Sequence, residues 1–227
     1  MKKILFLISF FAVMPFMMAQ NSGNQTTTMN KKYYVLLETS YGNMVIELFN
    51  ETPKHRDNFL KLVNEGFFDG LLFHRVINNF MIQGGDPNSR NAKPGQMLGS
   101  EDPGYRLPAE FVQGLFHRKG ALAAAREGDQ VNPQKASSPH QFYIVQGQVW
   151  QPRQLDMMAQ RFGKTFSKEQ IETYTTIGGT PHLDGDYTVF GQVIEGLEVI
   201  DKIAAVPTGA ADRPVEDVKM KISVIER

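Results

Sequence analysis

Apolar and polar positions alternate along much of the chain in short runs rich in β-branched and aromatic residues, a period that suits strands. Tyr33 to Thr39 and Asn43 to Phe49 come first, separated by Ser40-Tyr41-Gly42, a hairpin signal. Further runs at Leu71 to Ile77, Phe80 to Gln83, Lys119 to Ala125, His140 to Val145, Tyr187 to Val193 and Val218 to Glu226 bring the predicted strands to eight. Helical spacing occurs around Phe59, Leu60, Leu62 and Val63, with Thr52 as a candidate N-cap, Pro53 at the first helical position and Gly66 as a stop. It recurs in Gly196 to Ala204, where Leu197, Ile200 and Ile203 lie three apart.

Many short strands without a strand-helix repeat argue against a parallel sheet and for an antiparallel barrel or sandwich. A closed barrel leaves no unpaired edge, and one helix at each open end would cap it. Two segments interrupt the pattern. Asp86 to Ala109 is too rich in Pro and Gly for a regular element, and a loop of that length is usually functional. Gln146 to Thr180 is partly helical, with Ser167 and Gln170 spaced as a capping box and Gly178-Gly179 as a stop.

The amino terminus has a different character. Lys2 and Lys3 precede an apolar run from Ile4 to Ala19, the layout of a secretory signal cut after Ala19, and shorter than the roughly 20 apolar residues of a membrane span. Residues 20–32 are polar and small, a flexible tether, so the folded domain is expected over 33–227. The mature protein is then exported to the periplasm, with no membrane span once the signal is removed.

Charge and composition narrow the chemistry. The full chain carries 24 basic and 24 acidic side chains, and loss of Lys2 and Lys3 leaves 22 against 24. No broad basic field is available for nucleic acid. The absence of Cys excludes thiolate nucleophiles, disulfides and most structural zinc sites. His55, His74, His117, His140 and His182 do not form a helical zinc motif, and neither metal nor cofactor is expected. Gly163-Lys164-Thr165 lacks the glycine a phosphate loop requires, since Met158 stands there. Asp184-Gly185-Asp186 reads as a turn, with a carboxylate-pair hydrolase as a remote alternative.

One block stands out, Phe73-His74-Arg75-Val76-Ile77-Asn78-Asn79-Phe80-Met81-Ile82-Gln83-Gly84-Gly85-Asp86. Strand alternation places Phe73, Arg75 and Ile77 on one face, and His74 on the other as a structural histidine. Met81 and Gln83 likewise share a face. The block resembles the cyclophilin family of peptidyl-prolyl cis-trans isomerases, and the resemblance continues through Glu110-Phe111, Gly120 to Ala125, Gln141 to Ile144 and Leu183 to Gly191. It implies a mainly β fold, a closed eight-stranded antiparallel β-barrel capped by two α-helices, with Gln146 to Thr180 as a partly helical insert.

By the same resemblance Arg75 is the catalytic residue. The substrate-binding positions are Phe80, Met81, Gln83, Ala125, Arg126, Gln141, Tyr143, His182, Leu183 and Tyr187. Tyr143 stands where the family commonly has Phe, so its hydroxyl must find a partner. Arg126 stands where Asn often offers its backbone. His182 and Tyr187 replace a Trp and a His of many eukaryotic members, and the Trp contributes to cyclosporin contact. The implied partners are proline-containing peptides and unfolded exported proteins, bound by a monomer; a barrel that holds such segments without catalysis is the alternative. The insert either extends the substrate groove or recruits a partner through Trp150, Met157, Met158 and Phe162, or packs those residues against the barrel.

Overall fold

The predicted hairpin forms as β1 (Tyr33–Thr39) and β2 (Gly42–Leu48), paired in register from Tyr33 with Leu48 to Thr39 with Gly42. Buried Val35, Leu37, Met44, Ile46 and Leu48 alternate with half-buried neighbours, so one face of the hairpin enters the core. The computed structural model describes residues 31–101 and 104–227. The signal assigned to residues 1–19 and nearly all of the tether lie outside the described residues. Among the described residues no helix is long and apolar enough to cross a membrane.

Six more strands follow: β3 (Phe73–Ile77), β4 (Met81–Gly84), β5 (Ala121–Ala124), β6 (Phe142–Val145), β7 (Val189–Glu195) and β8 (Met220–Ile225). All pair antiparallel, in the order β3-β4-β6-β5-β7-β2-β1-β8. β5 is shorter than the run Lys119 to Ala125 because a turn closed by Ala121 N–H to Arg118 O takes its first residues.

The closed barrel expected from the sequence is corrected to an open half-barrel. Its edge strands β3 and β8 form no ladder; they meet around an isolated Leu72–Lys219 bridge, with Phe73 N–H donating to Val218 O, Met220 N–H to Leu71 O and Gly70 N–H to Met220 O. Beyond this point the short 3₁₀ turn Ala210–Asp212 lies alongside β3 in place of a strand. The edge is thereby covered without a ladder.

Among the described residues four α-helices accompany the sheet. α1 (Pro53–Asn64) buries His55, Phe59, Leu62 and Val63. Phe59 meets Phe68, Phe142 and Phe190 at ring-centroid distances of 5.0–5.6 Å. The later helix, α4 (Leu197–Ala204), buries Val199, Ile200, Ile203 and Ala204, while Leu197, expected on its apolar face, is 36% exposed. Gly196 enters α4 with φ +80, and a Cβ there would lie 2.1 Å from Asn43 O, so only glycine fits. These two helices form where the sequence predicted helices, and the other two belong to the insert.

In the insert, α2 (Pro152–Phe162) and α3 (Lys168–Thr176) both begin with capping boxes, including the one read at Ser167 and Gln170. Phe116, Leu155 and Tyr174 form a separate small core, with Trp150 and Phe166 against it. The Trp150 indole donates to Gly179 O at 2.8 Å, so it packs inward, whereas Met157 and Phe162 are exposed.

Thr52 occupies the N-cap position of α1 without capping it, its buried Oγ1 having no partner. Glu110 does so instead, accepting from Lys54 N at 3.1 Å and His55 N at 3.0 Å and pairing with His55 Nδ1 at 2.7 Å. Glu110→Ala is expected to lower stability by about 1–3 kcal/mol, because a helix cap and the partner of a buried histidine go together. Thr52→Val is expected to be neutral or stabilising. Urea midpoints at unchanged m-value check both.

Candidate active site

Cross-strand register assembles the site. Arg75 on β3 lies opposite Gln83 on β4, Gln83 opposite Tyr143 on β6, and Tyr143 opposite Ala123 on β5. Directly opposed residues share a face, so a cation, an amide and an aromatic ring stand in one row. Val76, Ile82, Phe142 and Ile144 face the main core, while Met81, Ala121, Ala123, Tyr143, Val145 and Val189 form a second cluster on the other side of the sheet.

Phe73 departs from the expected alternation. Phe73 pairs with Gly84 and Arg75 with Gln83, so β3 spends two steps where β4 spends one, a bulge at His74. Phe73 therefore enters the main core, while Arg75 faces the second cluster. His74 also differs from its expected place on the far face: it is buried at the bulge and borders the same cavity as Arg75.

That cavity measures about 860 Å³. Phe80, Met81, Tyr143 and Leu183 give it an apolar floor and wall. Arg75, Gln83, Ala125, Arg126 and Tyr187 also line it. Gln141 and His182 do not reach the lining. Gln141 is buried behind it, accepting from Gln83 Nε2 at 3.2 Å and donating to Gly99 O at 3.2 Å. His182 stacks on Phe80 with centroids 5.6 Å apart, and burial lowers its pKa.

The guanidinium of Arg75 donates through Nη1 to Gln83 Oε1 at 3.3 Å, which continues the amide chain to Gln141 and Gly99. Its Nε lies 3.4 Å from Asp212 Oδ2, a contact the sequence did not reveal because 137 positions separate the two residues. Ala211 and Asp212 both adopt positive φ, 56° and 58°, unusual for non-glycine residues and a form of strain found at functional sites. Arg213 steadies that turn by donating to Lys93 O at 2.9 Å and Gln96 O at 3.0 Å, which joins it to the long loop. Residues Pro94 to Gly99 of that loop form a wall of the cavity.

Arg126 is not a substrate cation in waiting. Its guanidinium donates to Asp186 O at 2.7 Å, pairs with Asp129 at 2.6 Å and lies 4.4 Å from the Tyr187 ring centroid. The hydroxyl of Tyr143 finds its partner in His117 Nε2 at 3.0 Å, and burial raises the Tyr143 pKa well above its ordinary value. Nothing in the sequence marked His117 for this task. Among the described residues no cluster of metal-ligating side chains occurs.

The model of the cyclophilin-type peptidyl-prolyl cis-trans isomerase family matches residues 34–224, which carry every residue of this site. The chain belongs to the cyclophilin family. A Staphylococcus aureus (strain USA300) protein named as a peptidyl-prolyl cis-trans isomerase is 37% identical over 194 residues, 85% of this cyclophilin and 91% of that protein. A Streptococcus pyogenes protein named as a bifunctional phosphatase/peptidyl-prolyl cis-trans isomerase is 39% identical over 197 residues, 81% of this chain but 37% of that longer one. The crystal structure of a Cryptosporidium parvum cyclophilin shares the fold at a TM-score of 0.61 and 24% identity, covering 87% of this chain and 99% of its own.

Two outcomes follow for the cyclophilin's arginine and its neighbour. Asp212→Asn is expected to lower kcat/KM by roughly two- to fivefold through a less well-held guanidinium, a modest effect because exposed ion pairs are worth about 1 kcal/mol or less. The difference should shrink as salt rises in a proline-peptide assay. Burial lowers the pKa of His74 to about 4, and neither of its nitrogens has a partner. The unfolded chain then takes up the proton more readily. The stability tied to neutral His74 is complete above the unfolded value of about 6.5 and is lost as pH falls towards 4, by roughly 2–3 kcal/mol. Denaturant titrations at several pH values should show that component in the wild type and lack it in His74→Leu.

Proposed function

We propose that this cyclophilin isomerises Xaa-Pro bonds by holding the proline ring in the socket of Phe80, Met81, Tyr143 and Leu183, with the Arg75 guanidinium at the prolyl nitrogen. Rotation about the bond meets a barrier of ~18–20 kcal/mol because it destroys amide resonance, while the cis and trans forms differ by only ~0.5–1 kcal/mol. No bond need break. A catalyst must favour the twisted amide over both planar forms, and an apolar grip on the ring alone binds all three alike.

The twisted state differs electrostatically. Once resonance is lost the prolyl nitrogen regains its lone pair and becomes a better acceptor, and a guanidinium donor beside it strengthens its hydrogen bond at that moment only. The row from Arg75 through Gln83 to Tyr143 is the observation that carries this reading: it sets the donor and the ring's seat side by side on one face. Gln83 would hold the peptide, its amide steadied from behind by Gln141, with Ala125, Arg126 and Tyr187 lining the groove and His182 backing Phe80.

The substrates we assign are proline-containing segments of unfolded exported proteins, met in the periplasm after the signal in residues 1–19 is removed, by a protein acting as a monomer. The Lys2-Lys3 pair and the apolar run to Ala19 support that placement.

Arg75→Ala is expected to lower kcat/KM roughly a hundredfold or more, chiefly in kcat, as loss of a preorganised transition-state donor does elsewhere. Arg75→Lys should also be impaired, since an ammonium lacks the planar fork. A protease-coupled assay on a short proline peptide, with direct binding measured in parallel, reads both. Equal turnover by wild type and Arg75→Ala would leave a binding module rather than an arginine-assisted isomerase.

A further inference from the structure

The floor of the proline socket is tied to the insert by an unbroken buried chain of polar groups. Tyr143 O–H meets His117 Nε2 at 3.0 Å, and His117 Nδ1 meets Asp184 Oδ1 at 2.9 Å. The same oxygen accepts from His117 N, also at 2.9 Å. The other carboxylate oxygen, Oδ2, accepts from Tyr174 Oη at 2.7 Å and Gln170 Nε2 at 2.9 Å, both on α3 of the insert. Asp184 thus receives four donors, two of them from a helix that does not line the cavity. The side chains of His117 and Asp184 are 1% and 11% exposed, so water offers little substitute for a missing partner.

The direction of each bond follows from its neighbours. In the neutral imidazole an acceptor-only carboxylate at Nδ1 fixes the proton there, which leaves Nε2 to accept from the Tyr143 hydroxyl beneath the socket. Tyr143 then shows the cavity a ring while its polar end is satisfied beneath. The His117 and Tyr143 rings lie nearly parallel, 13° apart with centroids 6.0 Å apart, and Tyr187 stands edge-on to both. Lys164, from the link between α2 and α3, donates to the carbonyl of Asp184 and to Asp186 Oδ2, so the insert grips the whole turn that carries Asp184.

We infer that Tyr174 and Gln170 of the insert are positioning residues for isomerisation: through Asp184 and His117 they hold the Tyr143 ring in the orientation that seats the proline. The insert is then a brace of the catalytic socket and not only a surface addition. This inference rests on the assignment of Tyr143 to the proline socket.

A double-mutant cycle tests it. The pair Tyr174→Phe with Gln170→Ala is made in the wild type and in Tyr143→Phe, where the terminal hydroxyl of the chain is absent, and kcat/KM is measured per folded molecule together with the thermal midpoint. The pair is expected to lower kcat/KM by roughly fivefold in the wild type and by less than about twofold in Tyr143→Phe, the non-additivity that coupled residues show. Tyr174→Phe alone, which keeps the ring, carries the same cycle if the pair does not fold. Equal losses in both backgrounds, or a fall in thermal midpoint with kcat/KM unchanged, would overturn the inference and leave a purely structural network. Arg75→Ala is measured separately: its loss of turnover upholds the reading of the site even where the cycle is additive.

Discussion

The active face depends on one register: Arg75 opposite Gln83, opposite Tyr143, opposite Ala123. Because strand side chains alternate, a one-residue slip anywhere in this row would send the arginine, the glutamine or the ring into the main core. The bulge at His74 is what reconciles the row with packing. It lets Phe73 fill the core and Arg75 face outward, although they are two residues apart on one strand. It also leaves His74 buried, uncharged near neutrality and without a partner, so the site is built on a local cost that the rest of the sheet must support.

Much of this was legible in the chain. Periodicity located eight strands and two capping helices, and the ordered blocks around Arg75, Gln141 and Leu183 pointed to the family. Period-two arithmetic failed at Phe73 because a bulge is set by the partner strand, and one strand's sequence does not display it. Barrel closure failed for a similar reason: the outer edge of β3 is covered by the Ala210–Asp212 turn, more than a hundred residues away along the chain. The Thr52 cap was sound as local chemistry, but a distant Glu110 competes better because it also satisfies His55. Asp212 and His117 were invisible for the same physical reason, since each acts across a contact of long sequence separation.

The site joins two kinds of control. On its exposed side Arg75 is held by Gln83 and Asp212, contacts weakened by solvent and salt. On its buried side Tyr143 is held by groups that water hardly reaches, where each hydrogen bond matters more. On the proposed reading, a half-exposed cation beside a buried ring suits a reaction in which the ring must stay still while the charge meets a nitrogen whose geometry changes. No ionisation near neutral pH and no covalent intermediate is required for this.

The most direct measurement is a crystal structure of the protein with a short Xaa-Pro peptide bound. The account places the pyrrolidine against the Tyr143 ring, with Phe80, Met81 and Leu183 around it and an Arg75 nitrogen within hydrogen-bonding reach of the prolyl nitrogen. A proline seated elsewhere, or an Arg75 guanidinium turned away from that nitrogen, would contradict it.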